Sequence, residues 1–166
     1  RGVTVLIPES PAGIQAVDHR LHSSPSEISR ELKHRERFVG THFWNPGHLI
    51  PLVEVVKSDA SADETAQTVM EVLRSVGKKP VLCKKDVPGF IANRLQLALY
   101  REVQDLVMRG VCSVEDADKA LVYGPGLRWA IFGHNMIMQL GNPGGLTGMV
   151  NMLGNSGGRW LADMAS

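Results

Sequence analysis

Two short apolar runs each carry one residue able to do acid–base chemistry. The first, Phe38-Val39-Gly40-Thr41-His42-Phe43-Trp44-Asn45-Pro46, holds His42. The second, Pro51-Leu52-Val53-Glu54-Val55-Val56, holds Glu54. An ionised glutamate between Val53 and Val55 is costly to bury unless something compensates its charge, and His42 is the natural partner. An imidazole that donates one N–H to a carboxylate keeps its other nitrogen free to take a proton from a hydroxyl. The carboxylate then stabilises the imidazolium that forms. A buried pair that only braces a hairpin would have the same spacing, so the spacing alone leaves both readings open.

Asn93 follows Pro88-Gly89 near the start of a long helical pattern. There its amide could face a ligand at the helix mouth and polarise a carbonyl, or simply face solvent. Ser23 and Ser24 offer hydroxyls from a loop, and Asn45 precedes a proline, as turn residues do. Arg94 and Arg128 read as surface or helix-end charges. His19, His22, His34, His48 and His134 show no metal-ligand spacing, so no metal site is expected.

The elements that must position these residues follow from periodicity and turn signals. Phe38 to Phe43 and Leu52 to Lys57 read as strands, separated by the Asn45-Pro46-Gly47 turn and Pro51. A helix opens at Ser61 or Asp63, carries Ala66, Val69, Leu73 and Val76 at helical spacing, and closes at Gly77. Lys79 to Cys83 reads as a further strand. Upstream, Val3 to Ile7 resembles a strand and Ile14 to Leu21 a turn or two of helix, and a short helix with Ser24 as N-cap and Pro25 at its first position is expected.

Beyond Asp86-Val87-Pro88-Gly89 the pattern becomes helical. Phe90 to Arg109 forms a long candidate helix with an apolar stripe of Leu95, Leu99, Val103 and Leu106, ended by Gly110. Ser113-Val114-Glu115-Asp116 is a capping box for a helix reaching toward Gly124. Residues 129–141 read as one more helix, and the tail from Gly144 is interrupted by glycines. The expected fold class is therefore α/β followed by all-α, with residues 1–86 in one domain and 87–166 in a second.

An apolar fraction of 43% and a formal charge of +1 suit a folded chain and argue against a nucleic-acid surface. No run is long enough to span a membrane. Cys83 and Cys112, far apart and without metal spacing, suit ordinary thiols in a reducing compartment, the cytoplasm. The chain opens on Arg1 rather than Met, as a cut or partial product would.

Four ordered blocks resemble the L-3-hydroxyacyl-CoA dehydrogenase family: His42-Phe43-Trp44-Asn45-Pro46, Pro51 to Val56, Gly77-Lys78-Lys79-Pro80, and Asp86-Val87-Pro88-Gly89-Phe90-Ile91-Ala92-Asn93-Arg94-Leu95. Gly110 to Asp118 extends the match. Gly124-Pro125-Gly126-Leu127-Arg128-Trp129 is similar to the branch that includes lambda-crystallin, L-gulonate 3-dehydrogenase, carnitine dehydrogenase and diketoreductase.

The resemblance covers roughly residues 23–153 and implies the C-terminal part of a Rossmann-type NAD-binding domain joined to a helical dimerisation domain. It further implies NAD-dependent oxidation of a 3-hydroxyl to a ketone, on an acyl-CoA or a small hydroxy acid such as gulonate or carnitine. Within it, His42 matches the catalytic base and Glu54 its orienting carboxylate. Asn93 matches the substrate-polarising asparagine, Ser23 or Ser24 the substrate-contacting serine, and Asn45 an asparagine beside the nicotinamide. The family's glycine-rich loop has no counterpart here, and residues 1–22 match no part of it. The expected whole is a dehydrogenase that is incomplete in this chain; the alternative is a non-catalytic helical interaction module derived from the family.

Overall fold

The computed structural model describes residues 15–18 and 24–164. The chain forms two compact units, Arg1–Leu95 and Gln96–Ser166. The expectations at Val3 to Ile7 and at Ser23 lie outside the described residues.

Among the described residues, the first unit is built on four strands in spatial order β1 (Gln15–Asp18), β2 (Phe38–Phe43), β3 (Leu52–Lys57) and β4 (Lys79–Cys83). β1 runs parallel to β2, β3 antiparallel to β2, and β4 parallel to β3. Residues 15–18 were expected to be helical. They extend instead because β2 presents a free ladder edge, on which Gln15 registers with Phe38 and Asp18 with Thr41. A four-residue stretch has no helical tendency strong enough to compete with such pairing.

The β3 run is rich in valine, and β2 carries valine, threonine and two phenylalanines, residues that suit a pleated, buried surface. Their alternation sorts the sheet into two faces. On one face Val39, Val53 and Val55 pack against α2 (Asp63–Ser75), which buries Ala66, Val69, Met70 and Leu73. Val76 was expected in that stripe but lies beyond the last helical turn and is exposed. Gly77, at φ 80°, closes the helix, and the Lys78 amide reaches back to the Leu73 carbonyl at 3.0 Å.

The other face carries Val56, Cys83 and Phe90 as a second small core. It also receives α1 (Pro25–Ser29), capped by Ser24 in a reciprocal capping box with Glu27. α1 docks closely because β2 has a glycine beneath it: a Cβ on Gly40 would sit 2.7 Å from Pro25 Cγ. The first unit extends past the Asp86–Gly89 turn to Leu95, because Phe90 is one of its core residues.

The second unit is all helix. It takes most of α3 (Ala92–Met108), then α4 (Val114–Leu121), α5 (Leu127–Ile131), α6 (His134–Leu140) and α7 (Gly145–Asp163). Ser113 caps α4 by accepting the Asp116 amide at 3.0 Å. The single helix expected over 129–141 is broken in two, because Phe132 and Gly133 adopt extended backbone. α7 is bent at Gly154, whose φ of 44° only glycine adopts without strain. Among the described residues of this unit none is buried.

Candidate active site

His42 and Glu54 are direct cross-strand partners in the β2–β3 register. Both point to the face opposite α2, since their neighbours Val53 and Val55 belong to the α2 core. His42 Nδ1 lies 2.8 Å from Glu54 Oε2. The glutamate side chain is 0% exposed and the histidine 15%. The expected pair is therefore formed, with the carboxylate buried and the imidazole reaching toward solvent.

A buried carboxylate needs more than one donor, and this one has four. Oε2 also accepts the Trp44 indole Nε1–H at 3.2 Å. Oε1 accepts the backbone amides of Ile91 and Ala92, each at 2.9 Å. These amides open α3, where helix N–H groups lack partners within the helix and the dipole favours an anion. Burial pushes the Glu54 carboxyl up. The bonds from His42, Ala92, Trp44 and Ile91 outweigh it and hold the pKa at about 2. Glu54 is thus ionised near neutral pH. Its charge in turn, after burial itself, helps push the Cys83 thiol up to about 11.

The turn before α3 aims the two amides. Gly89 and Phe90 take φ values of 75° and 49° in succession, a backbone that turns neighbouring N–H groups to one side. A phenylalanine there is uncommon and costs about 1–2 kcal/mol. Its ring is buried against the site, with its centroid 5.7 Å from that of His42. Trp44 stands on another side of the imidazole, edge to face at 6.2 Å. Two aromatic rings thus restrict the plane of the histidine.

Asn93 lies one residue beyond the amides that bind Glu54, half-buried, and among the described residues its side chain has no hydrogen-bond partner. Asn45 is exposed at the end of β2, joined to Pro46 by a cis peptide bond, and likewise has no side-chain partner there. Ser24 is engaged elsewhere: its hydroxyl accepts the Glu27 amide at 3.1 Å, and it makes no bond to either member of the pair. Among the described residues no group of three or more His, Cys, Asp or Glu side chains could hold a metal ion.

Trp44, Phe90 and the Ile91 and Ala92 amides were not singled out from the sequence. Trp44 could have been: two residues after His42 along an extended run, it falls on the same side. The amides leave no side-chain signature.

The carboxylate-held histidine stands on a Rossmann-type sheet beside the first turn of α3, and comparison with known proteins places the chain in a family. Residues 22–87 match the model for the 3-hydroxyacyl-CoA dehydrogenase NAD binding domain, and residues 89–141 match that for the family's C-terminal domain. The chain belongs to the 3-hydroxyacyl-CoA dehydrogenase family.

It is 49% identical over 107 residues to a 3-hydroxyacyl-CoA dehydrogenase of Gibberella moniliformis, covering 64% of this chain and 33% of that protein. It is 41% identical over 129 residues to an L-carnitine dehydrogenase of Oceanobacillus iheyensis, covering 78% and 41%. Among solved structures, a 5-formyl-3-hydroxy-2-methylpyridine 4-carboxylic acid 5-dehydrogenase, described as an NAD+-dependent dismutase, superimposes with a TM-score of 0.73. Its identity is 33%, over 93% of this chain and 47% of that one. The chain thus spans a third to two-fifths of the length of these curated relatives.

Proposed function

We propose that this chain carries the proton-transfer centre of an NAD-dependent dehydrogenase that oxidises a 3-hydroxyl to a ketone. One observation carries the reading: His42 Nδ1 is bound at 2.8 Å to a carboxylate that is itself fully buried and held by three further donors. A pair that only braced a hairpin would not need an ionised carboxylate fixed on all sides, at the cost of desolvating it.

In this reading His42 Nε2 takes the hydroxyl proton as the C–O bond becomes a carbonyl, and Glu54 stabilises the resulting imidazolium. Asn93 donates its free amide to a carbonyl oxygen of the substrate. NAD, when bound, would supply the acceptor for the hydride that leaves the carbinol carbon. The unengaged carboxamide of Asn45, exposed three residues after His42, fits the donor–acceptor pair of a nicotinamide amide. Ser23 and Ser24 are the candidates for contacting the substrate oxygen. With its hydroxyl oxygen accepting the Glu27 amide, Ser24 would serve through its O–H.

The substrate is an acyl-CoA or a small hydroxy acid. The relatives named for 3-hydroxyacyl-CoA, at 49% identity, and for carnitine, at 41%, support these two branches. NADH formation by the complete enzyme with 3-hydroxybutyryl-CoA, L-carnitine and L-gulonate, each with and without His42→Ala, tests the reading. Turnover that survives the substitution overturns it.

A second copy of the chain is the proposed partner, docked through the helical unit. Large apolar side chains stand open there, with Met108 at 84%, Ile131 at 75% and Tyr123 at 74% exposure, apolar surface that a second copy would cover. A monomeric mass by light scattering at high concentration would count against this. Cytoplasmic residence is supported by two free cysteines. Among the described residues no helix is long and apolar enough to cross a membrane.

A further inference from the structure

Glu54 Oε2 serves two donors at once. The imidazole Nδ1 lies at 2.8 Å and the indole Nε1 at 3.2 Å from the same atom. The other oxygen is filled by the Ile91 and Ala92 amides. With the carboxylate 0% exposed, no solvent shares its charge, so each N–H on Oε2 takes from what the other receives. From this geometry we propose that Trp44 is a positioning residue for the base: its indole N–H pins Glu54 Oε2 and draws part of the carboxylate charge away from His42, so that the imidazole binds its proton less tightly than Glu54 alone would make it.

The competing groups around the imidazole are few. Across β3 stands Glu54 itself. At the end of β4 is the Cys83 thiol, pushed up to about 11 by burial and by the Glu54 charge, and so neutral near pH 7. Asp86 follows β4, where it accepts the Ser26 amide at 2.9 Å. Asp18 of β1 registers with Thr41, beside His42. Phe90, ahead of α3, brings an uncharged ring, and α2 buries Thr65, Ala66, Val69, Met70 and Leu73 on the other face. None of these competes with the imidazole for Oε2. Among the described residues the indole alone does.

Trp44→Phe isolates the N–H, since an aromatic ring remains beside His42 while the donor is lost. The experiment is an NMR titration of the 15N-labelled chain across neutral pH, reading the His42 ring and the Trp44 indole. In the wild-type chain the indole proton is expected to shift with the same midpoint as the His42 ring, because both report one oxygen. In Trp44→Phe the His42 midpoint is expected to rise by about half a pH unit, roughly a threefold gain in proton affinity.

An indole resonance with no inflection at the His42 midpoint, or a midpoint unchanged or lowered in the variant, overturns the proposal. If the variant does not fold, the 5-fluorotryptophan-labelled chain replaces it: its indole N–H is a stronger donor to Oε2, so the His42 midpoint is expected to fall, and a midpoint unchanged or raised overturns the proposal. The titration needs no turnover, so it stands apart from the catalytic reading on which the residue's importance rests. If His42→Ala left activity intact while the titration behaved as expected, the catalytic reading alone would fall.

Discussion

Replacing Glu54 by glutamine keeps its shape and removes its charge, and the structure sets the size of the result. The carboxyl pKa falls from 4.5 to about 2 on folding, because four donors outweigh the burial that would raise it. A group whose folded pKa is depressed stabilises the fold above its unfolded pKa and loses that contribution as pH falls through the folded one. Here the contribution is roughly 3 kcal/mol, fully present above about pH 4.5 and gone near pH 2. Glu54→Gln should therefore cost roughly 3 kcal/mol at pH 7, in the range for breaking a buried charge pair, and the two proteins should converge in stability in acid.

Urea unfolding at a series of pH values, followed through β2 and β3 amide resonances, measures this. The exposed carboxylates Glu36 and Asp63, also held below their ordinary values, titrate in both proteins and cancel in the difference. Parallel stability curves for wild type and variant from neutral pH to acid would refute the reasoning, since the four bonds would then not favour the charged form.

Other substitutions probe the remaining links. His42→Ala in the complete enzyme should lower kcat by about 10²–10⁴-fold, the span typical of a lost general base. β2 should stay folded at some cost in stability, because Glu54 loses one of its four donors but keeps the Trp44 indole and the Ile91 and Ala92 amides; steady-state kinetics with circular dichroism check both. Gly40→Ala puts a methyl 2.7 Å from Pro25 Cγ and should cost about 1–3 kcal/mol by displacing α1. A thermal melt at or above the wild-type midpoint would show that α1 docks loosely.

The elements easiest to read in the chain were those whose own side chains carried a period. α2 declared itself through Ala66, Val69 and Leu73, β3 through valines framing Glu54, and β2 through a short apolar run that holds His42. The cap at Ser24 and the glycine stop at Gly77 were equally local. Residues 15–18 misled because a short stretch extends or coils according to what lies beside it, and the β2 edge was not visible in its letters. The break at Phe132 and Gly133 was missed because the apolar residues on either side of it kept a helical spacing that the backbone does not follow.

The same division holds at the site. Residue type and spacing were enough to pair His42 with Glu54, since a charge between valines demands a partner and His42, unlike His48 in the connecting loop, sits in the neighbouring strand run. Tertiary structure decided what surrounds that pair: the two backbone amides opening α3, the left-handed turn at Gly89 and Phe90 that aims them, and the indole on Oε2. Backbone donors look the same at every residue, and only the folded path of the chain determines which of them meet a buried carboxylate.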